Sequence, residues 1–192
     1  MPADPYARLR DDPTLGPLLE EHGELSIGPA ADTFERFTVA IINQQLSSTS
    51  AAAIRERVFE RFEISPDGMA AADRDALRDS GLSGQKIDYI KNIAEAYRTK
   101  GLGVEYFDSE PDAAVVDELT AIKGIGPWTA KMYLIFCLGR EDVFPVEDLG
   151  IRKGMRTLFA EEMTREEMVD AADAWRPFRS YASRYIWRVS DG

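Results

Sequence analysis

The side chains able to do chemistry are few. The 192-residue chain has one cysteine, Cys137, and one histidine, His22. An internal disulfide, a four-cysteine zinc or iron–sulfur site and a histidine-based metal centre or dyad therefore lack material. His22 lies in the acidic stretch LLEEHGEL and reads as a surface or helix-end residue. Carboxylates and aromatics must supply the chemistry, and two stretches place them beside backbone of unusual character. In the first, ELTAIKGIGPWTAKMYLIF (118–136), one helix ends near Ile122, Gly124-Ile125-Gly126 makes a tight hairpin, and Pro127 suits the first turn of a second helix. Two glycines permit positive φ and close backbone approach, while Ile125 can plug the hairpin into a core. The hairpin amides and the helix N-terminus then form an anion site that needs no basic side chain. Lys123 and Lys131 can add charge. Taken alone, G-I-G fits an ordinary helix–turn–helix corner equally well. In the second stretch, DVFPVEDLG (142–150), Asp148 falls about twenty residues after the hairpin, at the start of a predicted helix. Alone it reads as the N-cap of a helix beginning at Leu149.

The elements expected to position these residues are all helical. SSTSAAAIRERVFERF (47–62) offers serine and threonine caps, then Ile54, Val58 and Phe62 at four-residue spacing. Residues 69–80 predict one short amphipathic helix ended by Gly81. Ser83 can cap a helix carrying Ile87, Ile90, Ala94 and Tyr97 on one face and closed by Gly101. Further helices are expected over 112–121, 127–138, 149–159 and 164–175, with a last one after Pro177 reaching about Val189. The strand-like run FTVAII is equally good buried helix. No repeat, alternating strand pair or low-complexity segment is evident, so the expected fold class is all-α.

Composition sets the remaining bounds. Apolar residues make up 44% and aromatics 10%, as in an ordered globular protein. No apolar run is long enough for a bilayer and the N-terminus lacks the features of a secretory signal, so no membrane association and a cytoplasmic location are expected. The net charge of −11 argues at first against nucleic acid. The 23 basic residues comprise six lysines and seventeen arginines against 34 acids. The acids concentrate in stretches such as AEEMTREEMVDAAD, whereas Thr120 to Phe136 has two lysines and no acid. Local charge therefore decides more than the total.

Several segments in order resemble the helix-hairpin-helix DNA glycosylase superfamily, in the manner of its 3-methyladenine (alkyladenine) branch. They are INQQLS (42–47), GLS with Lys86 (81–86), IKGIGPWTA (122–130), DVFPVEDLG (142–150) and WRPFRSYA (175–182), spanning roughly 34–189. The resemblance implies a single glycosylase domain over 1–192, two-lobed and helical with the active-site cleft between lobes. The helix-hairpin-helix would occupy about 112–138 and a Gly/Pro-rich loop with the catalytic aspartate 139–150. It also implies the compact version of the family, without an N-terminal β-rich domain or an iron–sulfur cluster.

The resemblance further implies roles. Asp148 is the catalytic carboxylate, stabilising the oxocarbenium-like sugar and orienting water. Bifunctional relatives carry a Schiff-base lysine at the position of Trp128; here it is tryptophan, and Lys131 lies almost a turn away, so a monofunctional enzyme is expected. Trp128 and Trp187 would line the base pocket, since an electron-rich ring stacks well on a cationic purine; core packing is the alternative for each. Gly124, Ile125, Gly126 and Thr129, with Lys131, form the expected DNA-binding hairpin, whose carbonyls can hold a monovalent cation, with no other metal or cofactor implied. Gln45 or Leu46 would fill the hole left by the flipped nucleotide, unless Gln44 to Ser47 is only a serine-capped helix start. Arg152 and Lys153 would meet phosphates or sit idle in solvent, and Lys86 lies near the DNA face. The expected partner is double-stranded DNA containing damaged bases, acted on by a monomer. Competing readings are a uracil/hypoxanthine or mismatch glycosylase on the same scaffold, and a non-catalytic lesion-binding protein.

Overall fold

A computed structural model describes residues 4–191, of which the side chains of Ser48 and Asp191 are left aside. Twelve α-helices and one 3-10 turn account for the regular structure among the described residues. In chain order they are α1 (Pro5–Arg10), α2 (Gly16–His22), α3 (Thr33–Asn43), α4 (Ser48–Arg61), α5 (Pro66–Ala71) and α6 (Arg74–Asp79). There follow α7 (Gly84–Lys100), α8 (Asp112–Thr120), α9 (Pro127–Phe136), α10 (Leu149–Leu158), α11 (Arg165–Ala172) and α12 (Arg179–Asp191). No helix among the described residues is long and apolar enough to cross a membrane. The helices form two compact units: one is Pro29–Leu138, and the other combines the residues up to Gly28 with those from Gly139 onward.

The Pro29–Leu138 unit holds α3 to α9. FTVAII resolves as helix, because Phe34, Phe37, Ile41 and Ile42 fall on one buried face of α3. They pack with Ile87, Ile90, Ile93 and Tyr97 of α7 and with Tyr133 of α9, all buried. The Phe37 and Tyr133 rings lie 4.8 Å apart, and the Tyr97 hydroxyl donates to that of Tyr133 at 3.0 Å. Burial, acting first, pushes the Tyr133 phenol up to about 12. Each such aliphatic side chain contributes about 1.5–3 kcal/mol by leaving water.

The single helix expected over 69–80 is instead two, α5 and α6. Ser65 caps α5 through the Gly68 amide, and Asp73 starts a new helix by accepting from the Ala76 amide at 2.9 Å. The carbonyls stranded at the break are collected by the Lys91 ammonium, at 3.3 Å from Met69, 3.0 Å from Ala70 and 2.7 Å from Ala72. α7 runs as expected from its Ser83 cap to Gly101, whose φ of 68° is left-handed.

The second unit packs α10 and α12 against α1, α2 and α11. Its core gathers Leu9, Leu15, Leu19, Phe144, Ile151, Met155, Trp175, Tyr185 and Ile186. The two N-terminal helices have no counterpart in the sequence reading. They are tied down by tertiary bonds: Trp175 Nε1 donates to Asp12 Oδ2 at 3.1 Å, and the Tyr185 hydroxyl donates to the Gly23 carbonyl at 2.8 Å. α11 ends at Ala172 and gives way to the 3-10 turn Asp173–Trp175, shorter than the helix expected to Trp175.

Candidate active site and DNA-binding elements

In the second unit the chain from Gly139 to Glu147 has no helix or strand, so side-chain and cap bonds must shape it. Ser180 does much of this: its hydroxyl donates to the Arg140 carbonyl at 2.6 Å and accepts from the Val143 amide at 3.0 Å. Arg179 Nε reaches Asp142 Oδ1 at 2.7 Å, while its Nη2 reaches the Asp142 carbonyl at 2.9 Å. The start of α12 thus clamps the loop that delivers Asp148. These contacts give the RPFRS segment a physical purpose that its match alone did not reveal.

Asp148 is the N-cap of α10. Its Oδ1 accepts from the Ile151 amide at 3.0 Å and from Trp187 Nε1 at 2.8 Å. Both donors converge on one oxygen of a half-buried carboxylate, fixing its rotamer and setting it against the positive end of a helix. Cap and candidate catalyst are therefore compatible at one residue. Trp187 is half-buried, and its indole edge orients Asp148. Trp187 thus makes a contact that neither its spacing nor its neighbours in the sequence foretell.

This pair depends on close approach of α10 and α12 through Gly150 and Gly154. A Cβ on Gly154 would stand 2.4 Å from the Ile186 carbonyl oxygen, and one on Gly150 would stand 2.9 Å from Trp187 Cδ1. The four-residue glycine spacing places both gaps on one face of α10. Arg152 Nη1 donates to the carbonyls of Val146, at 3.2 Å, and Glu147. It braces the loop below Asp148, which corrects the reading of it as an idle charge in solvent. Lys153, by contrast, is exposed on α10.

In the first unit, α8 ends at Thr120 and the hairpin turns through Gly124, with φ 103°, into Gly126, the N-cap of α9. Gly124 is indispensable to this geometry: a Cβ there would lie 1.9 Å from Tyr89 Cδ1, inside the ring. Gly126 has an ordinary φ of −96°, so only one of the two glycines uses the positive region. A Cβ on Gly126 would meet nothing within 4 Å, so its outer side is open. Ile125 is 5% exposed and plugs the hairpin inward, donating its amide to the Ile122 carbonyl at 3.0 Å. Gly126 makes no side-chain capping bond to α9, whose N-terminus is the kind of helix end that favours anions.

Thr129 departs from its expected place on the DNA surface. It is 3% exposed, and its Oγ1 accepts from Gln44 Nε2 at 3.0 Å. Lys131 sits half-buried on α9. Trp128 is half-buried and lines a recess of about 160 Å³ with Met132 and Phe136 of α9 and Val39, Ala40 and Asn43 of α3. The Arg36 guanidinium closes one side of it, 4.9 Å over the Phe136 ring. The lining is mostly apolar and includes two aromatic rings, as stacking on an aromatic ligand requires.

Between α3 and α4, Gln45 adopts φ 56°, a left-handed conformation that costs a non-glycine residue about 1–2 kcal/mol. Gln45 and Leu46 are both exposed, Leu46 by 38%. Ser47 caps α4 by accepting from the Ser50 amide at 3.3 Å, so the loop is a serine-capped helix start that also displays two long side chains. Lys86, the remaining residue marked from sequence, points its ammonium at the Ile42 carbonyl, 2.7 Å away. Burial pulls its pKa below the usual lysine value. Sequence reasoning missed the helpers: Arg179, Gln44, Tyr89 and the paired glycines. Only the Gly150-x-x-x-Gly154 spacing carried a local signal.

Comparison with known proteins adds four matches. Residues 38–179 match the HhH-GPD superfamily of base excision DNA repair proteins. DNA-3-methyladenine glycosylase 1 of Schizosaccharomyces pombe is 36% identical over 171 residues, covering 83% of this chain and 73% of the relative. The DNA-3-methyladenine glycosylase of Saccharomyces cerevisiae is 30% identical over 206 residues, covering 95% and 68%. Among solved structures, the Schizosaccharomyces pombe 3-methyladenine DNA glycosylase in complex with abasic DNA superposes with a TM-score of 0.87 at 30% identity, covering 99% of this chain and 98% of that one.

Proposed function

The chain belongs to the HhH-GPD superfamily of base excision DNA repair proteins, and on that footing we propose that it is a monofunctional DNA glycosylase hydrolysing the N-glycosidic bond of alkylated purines, 3-methyladenine among them. The observation that carries the proposal is the Asp148 carboxylate, held at the N-terminus of α10 by two donors on one oxygen. The curated relatives named 3-methyladenine glycosylases support the substrate class.

The chemistry follows from the lesion. A purine methylated on a ring nitrogen is already cationic, so the electron pair of the breaking C1′–N9 bond neutralises it without an added proton. The sugar becomes oxocarbenium-like, and a fixed carboxylate stabilises that charge. Water then adds at C1′ and gives up a proton, leaving an abasic site. Trp128, with Met132 and Phe136, supplies the apolar wall on which a cationic base stacks. With tryptophan at position 128 and Lys131 set back on α9, no amine is assigned to attack the sugar, so strand cleavage is not part of the reaction.

The hairpin around Gly124 and Gly126 takes the phosphate backbone through its amides, which reconciles DNA binding with a net charge of −11. The protein acts on duplex DNA as a monomer. Water is the nucleophile and no redox cofactor is needed. Incubating the protein with methylated DNA and, in parallel, with uracil- and hypoxanthine-containing duplexes tests the proposal. Release of free 3-methyladenine with uncut abasic sites is expected. Release of uracil or hypoxanthine alone would move the enzyme to another substrate class, and tight lesion binding without any release would remove the catalytic role.

A further inference from the structure

One face of α7 presents Lys86, Tyr89 and Asn92 at three-residue spacing. Tyr89 and Asn92 meet the hairpin to which the proposed function gives a DNA role, and Lys86 meets the end of α3 just before the exposed Gln45. The Tyr89 ring lies directly under Gly124, and Asn92 Nδ2 donates to the Lys123 carbonyl at 2.9 Å, so this part of α7 supports the hairpin. One turn earlier, the Lys86 ammonium donates to the Ile42 carbonyl at 2.7 Å, in the last turn of α3. That carbonyl belongs to a helix C-terminus, where backbone acceptors lack intrahelical partners. Gln44, the first residue past α3, is held independently by the buried Thr129 of α9. Gln45 follows at once, left-handed and exposed.

Two side chains from two other helices thus fix the residues immediately before a strained, outward-facing glutamine. Ile42 is fully buried, so water cannot satisfy its carbonyl, and Lys86 gives up part of its hydration to make this bond. Pre-set geometry is what a side chain needs if it must enter a base stack without first being ordered. We propose that Lys86 is a positioning residue for duplex insertion: by pinning the end of α3, together with Gln44 and Thr129, it presents Gln45, in preference to Leu46, to fill the space vacated by the flipped nucleotide. This rests on the glycosylase reading above.

The test uses the full chain and an oligonucleotide carrying 7-methylguanine, a longer-lived N-alkylpurine, either in duplex or single-stranded. An already unstacked base leaves no hole to fill. Single-turnover excision is measured for wild type, Lys86→Met, Lys86→Arg, Gln45→Ala and the Lys86→Met/Gln45→Ala double variant, with melting temperatures alongside. Lys86→Met is expected to lose about tenfold or more on the duplex and no more than about twofold on the single strand, with affinity for undamaged duplex unchanged. Lys86→Arg, which keeps a donor, should recover most of the duplex rate. The double variant should be no slower than Gln45→Ala, since both changes act on one step. Equal losses on both substrates, or additive losses in the double variant, would overturn the proposal while leaving the glycosylase reading intact. A wild-type protein releasing no base from either substrate would overturn that reading, and this proposal with it.

Discussion

Gly150→Ala tests the architecture around Asp148 without removing a charged group. Gly150 is the second residue of α10, and an added Cβ would stand 2.9 Å from Trp187 Cδ1, 3.0 Å from Asp148 Oδ1 and 3.1 Å from Ser190 Oγ. The indole is rigid and cannot fold away as a lysine tip would. It must tilt, and the 2.8 Å bond from its Nε1 to Asp148 opens. A hydrogen bond to a charged group contributes about 1.5–3 kcal/mol. If all of it acts in the transition state, the rate falls by about 10- to 150-fold, at about 1.4 kcal/mol per factor of ten. Stability changes less, because the helix gain of alanine over glycine, at most about 1 kcal/mol, offsets part of an overpacking cost of about 1–3 kcal/mol. The assay is single-turnover excision from a defined lesion duplex at saturating enzyme, with thermal melting in parallel. Trp187→Phe should reproduce the rate loss, and the double variant should be no worse than either, because both remove the same bond. Full activity in Gly150→Ala, or losses that simply add, would refute the claim that this indole holds the carboxylate.

Other consequences follow from the packing and the ion pairs. Gly124→Ala places a methyl 1.9 Å from a Tyr89 ring carbon at φ 103°, so both melting temperature and affinity for undamaged duplex should fall; retained affinity would show that the hairpin amides do not bind phosphate. The Glu118 carboxyl lies below its ordinary value of 4.5, first because the Lys100 ammonium donates to it at 2.7 Å and then because of the Tyr106 hydroxyl, with burial opposing. A depressed carboxyl stabilises the fold above its unfolded value and loses that contribution as pH falls through the folded one. Glu118→Gln should therefore flatten the decline of melting temperature below about pH 4.5, and an unchanged slope would contradict the ion pair's contribution.

What the sequence made legible is local. Gly124 and Pro127 signal a turn and a helix start through their own backbone limits, and Asp148 signals a cap through its own side chain, so hairpin and carboxylate stand where expected. The split between α5 and α6 was hidden because Asp73 reads as one more helix-face acid until its capping bond is seen. The helices α1 and α2, of six and seven residues, are too short to show a period and persist through tertiary contacts. The support of the site was illegible for the same reason. Trp187 and Asp148 are 39 residues apart, and Gln44 and Thr129 are 85 apart. No local pattern tells an indole to orient a carboxylate or a threonine to sit under a loop. Thr129 reads from sequence as a DNA-surface residue and Arg152 as a phosphate contact or an idle charge, yet Thr129 is buried and Arg152 braces its own loop.

If Asp148 drives base release, its charge must matter beyond its role as the cap of α10. The most direct measurement compares single-turnover excision by wild type and Asp148→Asn on the same lesion duplex, with affinity for abasic duplex as the control. Asparagine can keep the cap while removing the charge, so a loss of about 10²- to 10³-fold in rate with unchanged abasic-site affinity is predicted. A variant that releases the base within a fewfold of the wild-type rate would contradict the account.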